Sequence, residues 1–276
     1  MPGSERMSRA SVPPRSGDVV PILLYHRVAT AASALLEGFT VSPPVFGQHL
    51  DALQASGYAV VSMRQLFEHR DRGSSIAGLV GLTIDDGYAD TVHVAEELAR
   101  RGMNATAFVT TGWLVDGPPH CLRRNGGDPQ LSHADVRRIA DLGIEIGAHS
   151  ESHPEFDMLE AADLAHELLA PKRYLEELVG GPVDGVAWPF GHADVGVRRA
   201  AAEAGYHYGV GVNQRLSAWP LDPFRIDRLV VKPDTSVATV LRWAAGGARS
   251  PLSRDTVVRV GWRQTRRAMR RVGVER

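Results

Sequence analysis

From residue 19 onward the chain alternates short apolar runs with longer stretches of helical period. The runs at 21–25, 59–62, 79–84, 105–110, 144–148, 183–188, 207–212 and 226–231 are rich in Val, Ile and Ala and read as strands. Between them, 45–56, 89–101, 133–142, 160–178 and 193–204 carry helical periodicity. Each of these stops at a glycine: Gly57, Gly102, Gly143, Gly180 and Gly205. Ser132 stands where a side-chain cap for the third would be. Strand, helix, glycine and strand in repeated order predict a parallel sheet with crossover helices. With about seven such units the expected class is α/β, a deformed (β/α)7-type barrel of parallel strands rather than an open doubly wound sheet.

Composition adds boundaries. The 276 residues are 43% hydrophobic and 23% charged, enough for one sizeable globular domain. The expected organisation is a flexible segment at 1–18, a barrel at 19–250 and a basic amphipathic helix at 251–276. A formal net charge of −1 leaves electrostatic partners to local patches, and no nucleic acid is expected. The one cysteine, Cys121, excludes an internal disulfide framework and a multi-cysteine metal site. No segment has a signal-peptide core or the roughly 20 apolar residues of a spanning helix, so a cytoplasmic protein is expected. The stretch at 115–130, with Gly117-Pro118-Pro119 and Gly126-Gly127, is too long for a mere connector.

The sharpest chemical signal is Thr83-Ile84-Asp85-Asp86-Gly87, two adjacent carboxylates at the end of an apolar strand. In a barrel that position is the catalytic rim. Adjacent aspartates project differently, so one can hold a metal while the other faces the reacting water. The bland alternative is a helix cap. His149-Ser150-Glu151-Ser152-His153 follows the next strand but one, and two histidines four apart fit one side of a helical turn and a single cation. One carboxylate and two imidazoles leave coordination positions open, as a catalytic metal requires. Glu151 between them is expected to be exposed.

These residues resemble a known family. Thr83-Ile84-Asp85-Asp86-Gly87 looks like the Thr-Phe-Asp-Asp-Gly motif of the polysaccharide deacetylases, the NodB-homology group of carbohydrate esterase family 4. His149-Ser150-x-x-His153 looks like their second motif, and Ala187-Trp188-Pro189-Phe190-Gly191 like their Trp-Pro-Tyr-Gly groove motif. The resemblance implies that Asp85 is the general base and that Asp86, His149 and His153 bind a divalent metal, zinc first, with Co, Ni, Fe or Mn as alternatives. It also implies that Trp188, Pro189 and Phe190 line the substrate, with the Phe190 N–H helping to hold the oxyanion. Much of the family has an arginine two residues before this proline to orient the base, but here the position is Ala187. Either Arg228 substitutes or the base is less constrained.

The family's C-terminal Leu-x-His is absent after residue 212. Leu23-Leu24-Tyr25-His26-Arg27-Val28 instead resembles the first strand of the circularly permuted branch, typified by poly-N-acetylglucosamine deacetylases, in which this histidine is the general acid. What the resemblance implies as a whole is N-deacetylation of an N-acetylated amino sugar, in a polysaccharide, a glycolipid precursor or a small glycoside. Two rivals stay open: hydrolysis of a non-sugar amide or imide, and a non-catalytic carbohydrate-binding barrel.

The C-terminal segment differs in kind. Val258, Trp262, Thr265, Met269 and Val272 fall on one helical face and Arg259, Arg263, Arg266, Arg267, Arg270 and Arg271 on the others. Such a helix can lie on an anionic membrane surface, or it can dock its apolar stripe on the barrel.

Overall fold

A computed structural model describes residues 19–118 and 127–247. The strands of the main sheet are β1 (Ile22–Tyr25), β2 (Ala59–Val61), β3 (Leu79–Ile84), β4 (Thr106–Val109), β5 (Glu145–Ala148), β6 (Gly185–Ala187), β7 (Tyr208–Val210) and β8 (Leu229–Val230). Seven of them form a curled parallel sheet in the order β7-β6-β5-β4-β3-β1-β8, and β2 pairs with the first half of β3. A parallel bridge between Val210 and Ile226 brings the segment before β8 against β7, so the curl turns back toward its own start. This is the deformed (β/α) barrel that the alternating pattern predicts.

The helices are α1 (Pro43–Ala55), α2 (Met63–Asp71), α3 (Thr91–Arg100), α4 (His133–Asp141), α5 (Ala161–Val179), α6 (Val195–Glu203) and α7 (Val237–Ala244). Five coincide with the periodic stretches; α2 and α7 were not expected. Only Met63 and Leu66 of α2 are buried, too few for a visible stripe, and its start is fixed by a capping box between Ser62 and Gln65. α4 begins on the same device, with Ser132 accepting from the Asp135 N–H. The strands are mostly shorter than the apolar runs, because the ends of those runs belong to loops. No helix among the described residues is long and apolar enough to cross a membrane. The expectations for 1–18, for Cys121 and for 251–276 fall outside the described residues.

Alternation along the strands sorts side chains into two layers. Leu23 and Tyr25 of β1, Val80, Leu82 and Ile84 of β3, and Ile146 and Ala148 of β5 pack outward into the main core under the helices. Ile22, Phe108, Ala187, Tyr208 and Val210 fill the inside of the curl. By the same parity Asp85, His149 and Arg228 share the inner face. A strand register that turned any of them outward would bury a charge among the leucines of the main core.

Candidate active site

The site gathers on the loops that leave the carboxyl ends of β1, β3, β5 and β6, and on the segment leading into β8. Asp85 and Asp86 directly follow β3 and are both buried. At Asp86 the chain turns with a φ of 82°, which swings its carboxylate away from that of Asp85. His149 follows β5, and a left-handed Ser150 and His153, with φ of 67° and 62°, bend the loop so that the second imidazole returns to the first. The pair therefore meets across a tight loop and not on a helical turn: no helix spans the segment between them. The Ser150 hydroxyl accepts from the His153 N–H at 2.8 Å and closes that bend. Glu151 is buried rather than exposed, because its side chain turns back to His166 at 2.7 Å.

Asp86, His149 and His153 each offer a ligand atom, and these atoms lie within 4.8 Å of one another. Asp86 Oδ1 is 3.3 Å from His149 Nε2 and 3.6 Å from His153 Nε2. His149 Nδ1 lies 2.9 Å from the Ala187 carbonyl. A carbonyl only accepts, so Nδ1 carries a proton, and Nε2, the nitrogen that faces Asp86, is the one that can ligate a cation when the ring is neutral. Burial opposes ionisation of Asp86, but the hydrogen bond from His149 and the positive field of His26 and the ligand imidazoles outweigh it and hold the carboxyl well below the usual range. Burial, then the neighbouring His149, pushes His153 down to about 4. His149 goes up: burial acts against it, and the Asp85 and Asp86 carboxylates prevail. Two imidazoles and a carboxylate, buried and converging, are a donor set suited to zinc and its neighbours.

Asp85 is met by a guanidinium. Arg228 Nη1 and Nη2 donate to its two oxygens, each at 2.7 Å, in a bidentate fork. Arg228 is fully buried, and it also donates to Thr83 Oγ1 and the Gly211 carbonyl. Ala187 thus lacks the family's arginine but contributes its carbonyl to His149, while a cation reaches Asp85 from the opposite end of the chain.

His26 follows β1 on the same rim. Its ring lies 5.0 Å from that of Phe39, its charge acts on both Asp86 and His153, and its buried Nδ1 has no hydrogen-bond partner among the described residues. It is therefore not a capping histidine. Phe190 takes a left-handed φ of 60° in the Pro189–Gly191 turn, and its exposed ring sits 4.9 Å from that of His153. Trp188 does not join the site by its side chain. Its ring packs in the outer layer beside Phe156, over Gly209, where an added Cβ would come within 1.8 Å of it. It anchors the turn from behind.

The polysaccharide deacetylase family model matches residues 73–209. The matched span is a polysaccharide deacetylase domain. YxkH of Bacillus subtilis (strain 168), classed by name as a polysaccharide deacetylase, is 24% identical over 220 residues, 79% of this chain and 73% of that one. The chitin deacetylase of Colletotrichum lindemuthianum is 29% identical over 136 residues, 47% of this chain and 49% of that one. Among solved structures, the Streptococcus pyogenes deacetylase PplD in complex with acetate shares the fold at a TM-score of 0.71 and 21% identity, covering 82% of this chain and 98% of that one. IcaB from Ammonifex degensii does so at 0.69 and 23% identity, covering 83% and 98%. Asp85, Asp86, His149, His153 and the Trp188-Pro189-Phe190 turn lie inside the matched span. His26 and Arg228 lie outside it, one just after β1 and the other just before β8, the two strands that follow β3 in the sheet order.

Reading the sequence missed Trp113 and Glu167. Trp113, on a short turn after β4, sets its ring 4.9 Å from that of His153, tilted by 32°. Glu167 lies in the buried stripe of α5 with Leu164, Leu168, Pro171 and Leu175, and a carboxylate in an apolar stripe was the available signal.

Proposed function

We propose that this deacetylase-family chain is a metal-dependent N-deacetylase that releases acetate from an N-acetylated amino sugar in a polysaccharide, a glycolipid precursor or a small glycoside. The observation that carries the reading is the juxtaposition of two separate functions at one rim: a converging Asp86, His149 and His153 cluster, and beside it a carboxylate, Asp85, reserved by its own arginine. A sugar-binding protein has no use for a base next to a metal cluster.

A divalent cation, zinc first, held by Asp86, His149 and His153 would acidify a bound water and polarise the amide carbonyl. Asp85, oriented by the Arg228 fork, takes the proton of the attacking water. The Phe190 N–H helps to hold the charge that develops on the carbonyl oxygen. His26, on the neighbouring strand, gives a proton to the departing amine. The three roles come from three strands and one fixed inner face, so no large motion is needed to assemble them.

The test is metal content by elemental analysis together with acetate release from chitooligosaccharides, for wild type and Asp86→Ala. Stoichiometric metal lost in the variant, with acetate released by wild type alone, supports both site and substrate class. Metal without acetate points to a different amide, and no metal in either protein after reconstitution overturns the proposal.

A further inference from the structure

The loop from His149 to His153 supplies two of the three ligands of the cluster, yet its backbone is of an unfavourable kind. Left-handed angles at Ser150 and His153 persist only where the surroundings hold them. Part of the hold is backbone: Thr111 N–H donates to the Ser150 carbonyl at 3.2 Å and Gly112 N–H to the Glu151 carbonyl at 2.9 Å. The donors on the other side of the loop need an acceptor, and α5 provides one.

Glu167 Oε2 accepts from the Glu151 N–H at 2.8 Å and from the Ser152 N–H at 3.0 Å, while Oε1 accepts from the Ser152 hydroxyl. Two successive N–H groups converging on one oxygen form an anion-binding nest, and here the anion is a side chain of the protein itself. Glu167 is buried, and no lysine or arginine pairs with it among the described residues. Its neighbour His166 holds the Glu151 side chain at 2.7 Å, so consecutive residues of α5 grip consecutive residues of the loop.

We propose that Glu167 is the positioning residue of the metal loop. Its carboxylate fixes the turn that returns His153 toward His149 and Asp86, and it sets an uncompensated negative charge behind the ligands, where it favours a cation over an empty site. The proposal rests on Asp86, His149 and His153 being a metal site. It assigns Glu167 no contact with substrate or metal.

The experiment loads the full chain with Co2+ and records its visible spectrum, and measures Zn2+ affinity by chelator competition, for wild type, Glu167→Gln, Glu167→Asp, Ser152→Ala, Asp86→Ala and His149→Ala. Glu167→Gln is expected to weaken metal binding by about 10- to 100-fold and to change the Co2+ bands, while the metal-free variant keeps a cooperative melt. Glu167→Asp, which restores the charge on a shorter stem, recovers part of the affinity, and Ser152→Ala shows a smaller loss in the same direction. A folded Glu167→Gln with wild-type affinity and spectrum overturns the proposal. If Glu167→Gln fails to fold, an unchanged Ser152→Ala spectrum does so instead. Ligand variants that lose the metal while Glu167→Gln keeps it sink this inference alone. Ligand variants that bind as wild type does sink the metal site and the inference with it.

Discussion

Two buried carboxylates face the inside of the same curled sheet, one at each end, and they are satisfied in opposite ways. At the rim Asp85 meets the Arg228 fork. At the base Glu145, the first residue of β5, meets only neutral donors: the Tyr208 and Thr106 hydroxyls at 2.7 Å each and the Arg64 N–H at 2.8 Å. The Arg64 guanidinium stays 3.9 Å away, beyond hydrogen-bond distance, and donates instead to the Pro182 carbonyl. Burial pushes the Glu145 carboxyl up, against those hydrogen bonds. Glu145 and His149 share one face of one strand, four residues or about 13 Å apart, so the change from a neutral network to a charged one occurs within a single strand. The backbone follows the same division. Among the described residues, the five non-glycine positions with left-handed φ, Asp86, Ser150, His153, Phe190 and Gln214, lie in loops beyond the carboxyl ends of strands. Left-handed backbone and a buried charge pair thus fall together at the rim that carries the candidate site, and the base holds its carboxylate without either.

The largest test of that division is Asp85→Asn. Loss of a general base lowers acetate release by about 10²- to 10⁴-fold at saturating metal. A loss smaller than tenfold would make Asp85 a structural partner of Arg228, no different in kind from Glu145. Arg228→Met comes next. It leaves a buried carboxylate without its cation, which costs about 3–5 kcal/mol of stability, read from urea midpoints at constant slope. Wild-type stability in that variant would mean that the rim pair does nothing to hold the fold.

Glu145→Gln probes the other end and has a smaller effect with a characteristic pH dependence. A carboxyl whose folded pKa is raised contributes stability that is fully present below its unfolded value of 4.5 and is lost as pH rises through the folded value. Gln does not titrate. The wild type should therefore exceed Glu145→Gln by about 1 kcal/mol at acid pH, and the gap should shrink as pH rises. A gap that widens with pH would show that Glu145 is held charged, and the contrast between the two ends would fail.

The sequence made the rim legible wherever chemistry and strand pattern coincide. Asp85 and Asp86 directly follow a six-residue strand that is buried throughout, and His149 directly follows another buried strand, so both could be placed without a structure. Arg228 was reachable only through a gap, the missing arginine at Ala187, because its contact with Asp85 spans 143 residues and leaves no local mark. The bend between the histidines was misread as helical because spacing alone cannot reveal a left-handed serine. Its cause sits on α5, 15 residues or more away in Glu167. The base network was equally hidden: Glu145 and Tyr208 lie 63 residues apart, and each reads locally as an unremarkable strand residue. Polar groups that serve one another across the barrel are fixed by topology, and the linear pattern records only which face they occupy.

The mildest prediction concerns a residue whose side chain is conspicuous and whose proposed role does not use it. Phe190 is 56% exposed and touches the His153 ring, so inspection alone would make it an aromatic platform. If its backbone N–H is what matters, Phe190→Ala retains the working group. The alanine must still adopt a φ near 60°, which the Trp188 to Gly191 turn imposes through the 2.8 Å hydrogen bond from the Gly191 N–H to the Trp188 carbonyl. Turnover of chitooligosaccharides should then fall by no more than about threefold, well under the 1.4 kcal/mol of a tenfold change. A large rise in KM with turnover preserved would assign the ring to substrate binding. A collapse of turnover in a variant that still binds metal would mean that the contact with His153, and not the N–H, is the contribution of this turn.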